Sequence, residues 1–227
     1  MPSPRQDWWL MRKASVAIVI LAAGKASRMG EGGKHKLLAE FDGVPLVRRS
    51  ALTALGADAT SVIVVTGHRR SEIEAALDGL ALTFIDNPDY AGGMASSLIK
   101  GFSATHSADG ILVMLADMPG ISTAHLDALI SAFRNAGGEA VVRAVSQGKP
   151  GNPVILPRSL NQAVLRLQGD VGARYHRHIR PARARCRCWR RGFARRRQAG
   201  RGTGRWRRNE ELASSRACQR NGNVAVP

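Results

Sequence analysis

Five short apolar runs, rich in β-branched residues and separated by stretches of helical periodicity, constrain this chain more than any other feature. They fall at residues 16–21, 61–66, 82–86, 111–115 and 140–145 of the 227. Each is short and lacks polar alternation, as expected of a strand covered on both faces. Between them, "VPLVRRSALTAL" (44–55), "SEIEAALDG" (71–79), "MASSLIKGFSAT" (94–105) and "TAHLDALISAFRNAG" (123–137) show helical spacing. The last has Ser122 or Thr123 as its N-cap and Gly137 as its stop. This alternation predicts a mainly parallel α/β sheet with helices on both faces. Ligands of such sheets gather at the carboxyl ends of the strands, at a topological switch. The residues there are Gly24, Thr66-Gly67-His68, Asn87-Pro88 and Asp117.

Charge divides the chain in two. Its formal net charge of +17 splits into +14 for residues 175–227, with sixteen Arg and two acids, and +3 for residues 1–174. The folded body is therefore nearly neutral, and the basic balance that would suggest a nucleic-acid binder belongs to the tail. All three cysteines, Cys186, Cys188 and Cys218, also lie in that tail. The body thus has neither a disulfide framework nor a cysteine metal site, which predicts a reducing, cytoplasmic setting. His176, His178, Cys186 and Cys188 do not read as a zinc site, because Cys-x-Cys lacks the usual two-to-four-residue gap. Residues 1–13, with Trp8 and Trp9, read as a leader. The apolar run that follows Arg12 and Lys13 is too short to span a bilayer and enters a glycine loop, so it reads as a first strand and not as a signal peptide.

Two segments carry chemistry. "LAAGKASRMGEGGKHKLL" (21–38) follows the first strand with four glycines and the cations Lys25, Arg28, Lys34 and Lys36. Main-chain N–H groups converging after a strand favour an anion. The spacing is neither Gly-x-x-x-x-Gly-Lys-Ser/Thr nor Gly-x-Gly-x-x-Gly, so a phosphate cradle and a solvated turn both stay open. Asp117 follows the apolar run at 111–115 and sits at a strand lip, either as a Mg²⁺ carboxylate or as a helix cap before Pro119. "NPDYAGGMASSLIKG" (87–101) offers small residues and hydroxyls at a helix start, suited to a substrate or to ordinary capping. "GNPVIL" (151–156) reads as a loop entering a strand, and His68 reads as structural more readily than catalytic.

In this order, "LAAGKASRMG", "HKLLAEFDGVPLVRR", "VIVVTGH", "NPDYAGGMASSLIKG", "ILVMLADMPGI", "GNPVIL" and "LQGDVGAR" resemble the MobA-like nucleotidyltransferases, specifically the molybdenum cofactor cytidylyltransferase branch. The resemblance covers about residues 16–174. Guanylyl-transferring relatives typically carry Leu-Ala-Gly-Gly where this chain has Leu21-Ala22-Ala23-Gly24. The resemblance implies a Rossmann-like three-layer fold and transfer of CMP from CTP to molybdopterin with release of pyrophosphate. It places the nucleotide on Leu21, Ala22, Ala23, Gly24, Arg28, Lys36, Thr66 and Gly67, with Arg28, Lys36 and Asp117 catalytic and Asp117 holding Mg²⁺. Gly93, Met94, Ser96, Ser97, Asn152, Gly169 and Asp170 would line the acceptor side. A molybdenum hydroxylase or its chaperone would be the partner, in the cytoplasm and away from membranes. The rivals are transfer of GMP or another NMP to a phosphorylated acceptor, and an inactive product.

Family members continue past "GDVGAR" with a strand and an Asp-Ile-Asp-Thr-Pro-like motif. Here residues 175–227 hold only Ile179, Phe193, Leu212, Val224 and Val226 from the Ile/Leu/Val/Phe set, which predicts a disordered tail and an incomplete C-terminal part. A reading-frame shift near Arg174 is one origin for the tail: arginine CGN codons read one base later encode Asp, Val, Ala or Gly, restoring strand-like alternation and an acidic motif. A genuine nucleic-acid-binding arm is the other.

Overall fold

The computed structural model describes residues 13–25, 35–146 and 148–169, together with the backbone of 183–189. Its elements run β1 (Val16–Leu21), β2 (Glu40–Phe41), β3 (Val44–Pro45), α1 (Leu46–Leu55), β4 (Ser61–Thr66), α2 (Arg70–Ala76), β5 (Thr83–Asp86), α3 (Met94–Ser103), β6 (Gly110–Leu115), α4 (Thr123–Asn135), β7 (Val141–Ser146), β8 (Lys149–Pro157), α5 (Asn161–Leu165) and β9 (Arg183–Trp189). The expected strands and helices all form, within a few residues at their ends. Short 3-10 turns at Lys36–Leu38, Tyr90–Gly92 and Arg158–Leu160 complete the path.

Seven strands make one sheet in the order β5-β4-β1-β6-β8-β7-β9, and β2 and β3 pair separately. β1 lies parallel between β4 and β6, with Ile18 opposite both Val62 and Leu112. β8 alone runs against its neighbours β6 and β7. The cause is local: only two residues separate β7 from β8, too few for a parallel crossover.

Alternation along β1 divides the core. Val16, Ile18 and Ile20 pack on one face with Val47 and Ala51 of α1, Ile73 of α2, and Leu129 and Phe133 of α4. Val19 and Val65 pack on the other with Leu98 and Phe102 of α3 and Val164 of α5. The result is the expected three-layer arrangement. Ile18, Ile20, Phe102 and Phe133 are completely buried, and each such side chain contributes roughly 1.5–3 kcal/mol. α3 approaches the sheet closely at Gly101, where a Cβ would stand 2.4 Å from Val19 Cγ1, so no larger residue fits without moving the helix.

One expectation fails at the far edge. Residues 175–227 read as a disordered tail, yet Arg183–Trp189 pairs in parallel with β7. The sequence RARCRCW alternates Arg with Ala and Cys at period two, a strand pattern that a count of large aliphatic residues overlooks. The rest of that segment, and residues 1–12, lie outside the described residues.

Candidate functional site

The carboxyl ends of β5, β4, β1 and β6 lie side by side along one rim of the sheet. From β1 the chain continues to β4 on one side, and from β6 to β7 on the other. Connections that diverge from adjacent strands open a crevice between them. The loop after β1 and the turn after β6 form its two lips.

On the β1 lip, Ala22 donates its N–H to Val65 O at 2.9 Å, so the sheet uses that amide. The N–H groups of Ala23, Gly24 and Lys25 have no partner among the described residues. Three carbonyls of this stretch are engaged: Leu21 O accepts from Ala116 N (3.1 Å), Ala23 O from His68 N (3.2 Å) and Gly24 O from His35 Nε2 (3.3 Å). A loop whose carbonyls are tied down and whose amides are left over has the polarity an anion requires.

Lys36 begins the 3-10 turn, flanked by His35 and Leu37, which are 4% and 7% exposed. Anchoring both neighbours directs the lysine out of the core, and its Nζ meets Asp117 Oδ2 at 2.5 Å. Asp117 leaves the end of β6, where Ala116 is fixed twice: its N–H binds Leu21 O, and its carbonyl accepts from the buried Ser50 Oγ at 2.9 Å. The two side chains stay 40% and 34% exposed, so their pairing adds at most about 1 kcal/mol to stability after screening by water. Two charges held at a cleft mouth for so little stabilisation are available to a ligand. Among the described residues no group of three or more His, Cys, Asp or Glu forms a metal-ligand cluster. A metal at Asp117 would therefore need oxygens from its ligand.

The β4 end packs tightly. A Cβ on Gly67 would stand 2.9 Å from both Ala23 Cβ and Tyr90 Cβ, so glycine alone lets these segments meet. Tyr90, His68 and His35 form a tilted series with ring centroids 5.8 Å apart, and Lys25 Nζ lies 5.8 Å above the Tyr90 ring. Burial pushes the His35 pKa down, and the nearby Arg69 cation adds to the effect. Thr66 is fully buried with its hydroxyl donating to Ile85 O, so it braces the strand end.

The turn and helix start that contain Gly93, Met94, Ser96 and Ser97 are held by Asn87, which is completely buried. Its Nδ2 donates to Ser96 Oγ and Ser97 Oγ, both at 2.9 Å, and its Oδ1 accepts from Asp89 N at 3.2 Å. Ser97, 5% exposed, thus braces the turn. Ser96 also donates within the turn, to Asp89 O or Gly93 O. Gly93 starts α3 at φ +106°, a conformation glycine adopts without strain, and Ala95 N donates to Gly169 O at 3.1 Å. Gly93, Met94 and Gly169 therefore share the head of α3. Asn152, joined to Pro153 by a cis bond, lies within β8, two residues before Val154, which pairs with Val113 of β6. Arg28 and Asp170 lie outside the described residues.

Sequence reasoning thus brought Lys36, Asp117 and the first loop to one place. It missed His35, Tyr90 and the bracing role of Asn87. An Asn-Pro step at a strand end was the available signal for Asn87; His35 opens the quoted segment "HKLLAEFDGVPLVRR" but was given no role.

The model of the MobA-like NTP transferase domain matches residues 18–185. Nicotine blue oxidoreductase from Paenarthrobacter nicotinovorans is 30% identical over 168 residues, 72% of this chain and 81% of that protein. Bifunctional protein GlmU from Francisella philomiragia subsp. philomiragia is 32% identical over 138 residues, 60% of this chain but 29% of its own length. A solved nucleotidyl transferase from Methanothermobacter thermautotroptrophicus is 27% identical with a TM-score of 0.61, covering 71% of this chain and 80% of that one. No helix among the described residues is long and apolar enough to cross a membrane.

Proposed function

As the chain belongs to the MobA-like NTP transferase family, on the cytidylyltransferase-like branch that its Leu21-Ala22-Ala23-Gly24 motif resembles, we propose that it transfers CMP from CTP to the terminal phosphate of molybdopterin. Nucleotidyl transfer rests on the site, since one fold hosts several chemistries and the relatives carry different names. The observation that carries it is the meeting of Lys36 and Asp117, 81 residues apart in sequence, beside first-loop amides that have no partner among the described residues.

The CTP triphosphate lies along that loop, accepting hydrogen bonds from Ala23, Gly24 and Lys25 N–H and from the Lys36 ammonium. Arg28 joins it by its place in the loop sequence. The ordered head of α3, with Gly93, Met94, Gly169 and Asn152, holds the acceptor. A phosphate oxygen of molybdopterin attacks the α-phosphorus. A new P–O bond forms as the bond to the bridging oxygen of pyrophosphate breaks, and negative charge builds on the leaving group. No covalent nucleophile on the protein is required, so the residues act by alignment and charge neutralisation. Lys36 shifts from the Asp117 carboxylate to the departing phosphates and releases that carboxylate. One exposed carboxylate facing a triphosphate is the donor set that Mg²⁺ takes, and the residues present fit it. Bound there, Mg²⁺ would offset the charge shared by the phosphates. The product would pass to a molybdenum hydroxylase or its chaperone in the cytoplasm.

Pyrophosphate release from a panel of nucleoside triphosphates, with Mg²⁺ and molybdopterin, tests the reading. CTP is expected to lead the panel. GTP leading would move the chain to guanylyl transfer, and release that is independent of molybdopterin would remove the acceptor.

A further inference from the structure

We infer that His35 is a positioning residue for the phosphate seat: its imidazole holds the Gly24 carbonyl away from the ligand and fixes the point where Lys36 emerges. The inference rests on the phosphate-binding reading above and adds to it a residue to which the sequence reading gave no role.

The ring is 4% exposed, and its Nε2 lies 3.3 Å from Gly24 O. A carbonyl oxygen only accepts, so Nε2 carries the proton. Nδ1 is buried and has no partner among the described residues. The neutral Nε2–H form leaves a bare lone pair there, whereas the cation would place a second N–H against nothing. Burial and Arg69 disfavour that cation as well. The histidine is thus a neutral donor with a single use, tying down Gly24.

That tie has two effects on an anion. First, carbonyl oxygens beside a phosphate repel it. Here the carbonyls of Ala23 and Gly24 are taken by His68 N–H and by the His35 ring, while the amides of Ala23, Gly24 and Lys25 have no partner among the described residues. Second, Gly24 and His35 are eleven residues apart in sequence, and the hydrogen bond holds the end of the loop after β1 against the residue that precedes Lys36. Lys36 follows directly, and its reach to Asp117 starts from this clasp.

The test compares His35→Gln with His35→Asn in the full chain. Glutamine carries an amide donor at about the reach of Nε2, and asparagine places the same chemistry one methylene short. Binding of inorganic tripolyphosphate is measured by calorimetry, beside CTP binding. The Gln variant is expected within about threefold of the parent and the Asn variant roughly tenfold weaker or more, with faster amide exchange in the peptide spanning 21–25. Equal affinities for Gln, Asn and parent overturn the inference while the phosphate reading stands. A parent that binds neither tripolyphosphate nor CTP overturns both. Should neither variant fold, the ¹⁵N shifts of the His35 ring in the parent at pH 7.5 decide: a protonated Nε2 with an unprotonated Nδ1 supports it, and the opposite tautomer or a cation contradicts it.

Discussion

Removing the Lys36 side chain should separate catalysis from stability. In the folded protein Lys36 pairs with Asp117 at 2.5 Å, but both side chains are more than one-third exposed, at 40% and 34%. Water and salt screen such a pair, so Lys36→Ala should lower stability by no more than about 1 kcal/mol, equivalent to about 2–4 °C for a domain of this size. The same ammonium is assigned to the charge that builds on departing pyrophosphate. Losing one such preorganised contact costs about 2.7–4 kcal/mol in the transition state, a factor of roughly 10²–10³ in turnover. Initial rates of pyrophosphate release from CTP at saturating Mg²⁺ and acceptor, beside a thermal melt, give both numbers. Turnover within about threefold of the parent would refute the assignment of Lys36. A large fall in melting temperature would show that Lys36 acts on the fold and not on the phosphates.

Gly67→Ala forces a methyl to 2.9 Å from Ala23 Cβ and Tyr90 Cβ. Neither neighbour can swing away, so stability should fall by about 1–3 kcal/mol in urea unfolding and CTP affinity should fall with it. Ser50→Ala leaves the buried Ala116 carbonyl without its hydroxyl donor, which should cost about 1–3 kcal/mol and reduce turnover through Asp117, although Ser50 lies outside the crevice. Phe102→Ala, at a completely buried position, should cost about 3–5 kcal/mol in the same assay. Burial also lowers the pKa of His125 below the usual 6.5. The unfolded chain then binds more protons than the folded one, so this stabilisation is complete above about pH 6.5 and is lost as pH falls toward the folded-state value. His125→Gln should flatten the pH dependence of the urea midpoint between about pH 7.5 and 5.5, and an unchanged slope would contradict the assignment.

The fold was legible where periodicity was strong. β1 and β4 fall on the expected residues because buried strands in a parallel sheet are uninterrupted runs such as VAIVIL and SVIVVT. The direction of β8 was not legible, since a strand's own residues do not state which way it runs; the two-residue link before it decides that. β9 was missed because arginine-rich alternation resembles a solvated tail in composition and a strand only in period. At the site, Asp117 stood out as a charge after an apolar run, and Lys36 was one of four loop cations that the family resemblance singled out. The supports did not: the reach of His35 to Gly24, the contact of Tyr90 with Gly67 and the grip of Asn87 on two serines join segments that meet only after folding.

The most direct measurement is a crystal structure of the chain with CTP and Mg²⁺. Phosphate oxygens are expected within hydrogen-bond distance of the Ala23, Gly24 and Lys25 amides and of Lys36 Nζ, with Mg²⁺ against Asp117. A nucleotide bound away from the crevice between β1 and β6, leaving the Lys36–Asp117 pair untouched, would contradict the account.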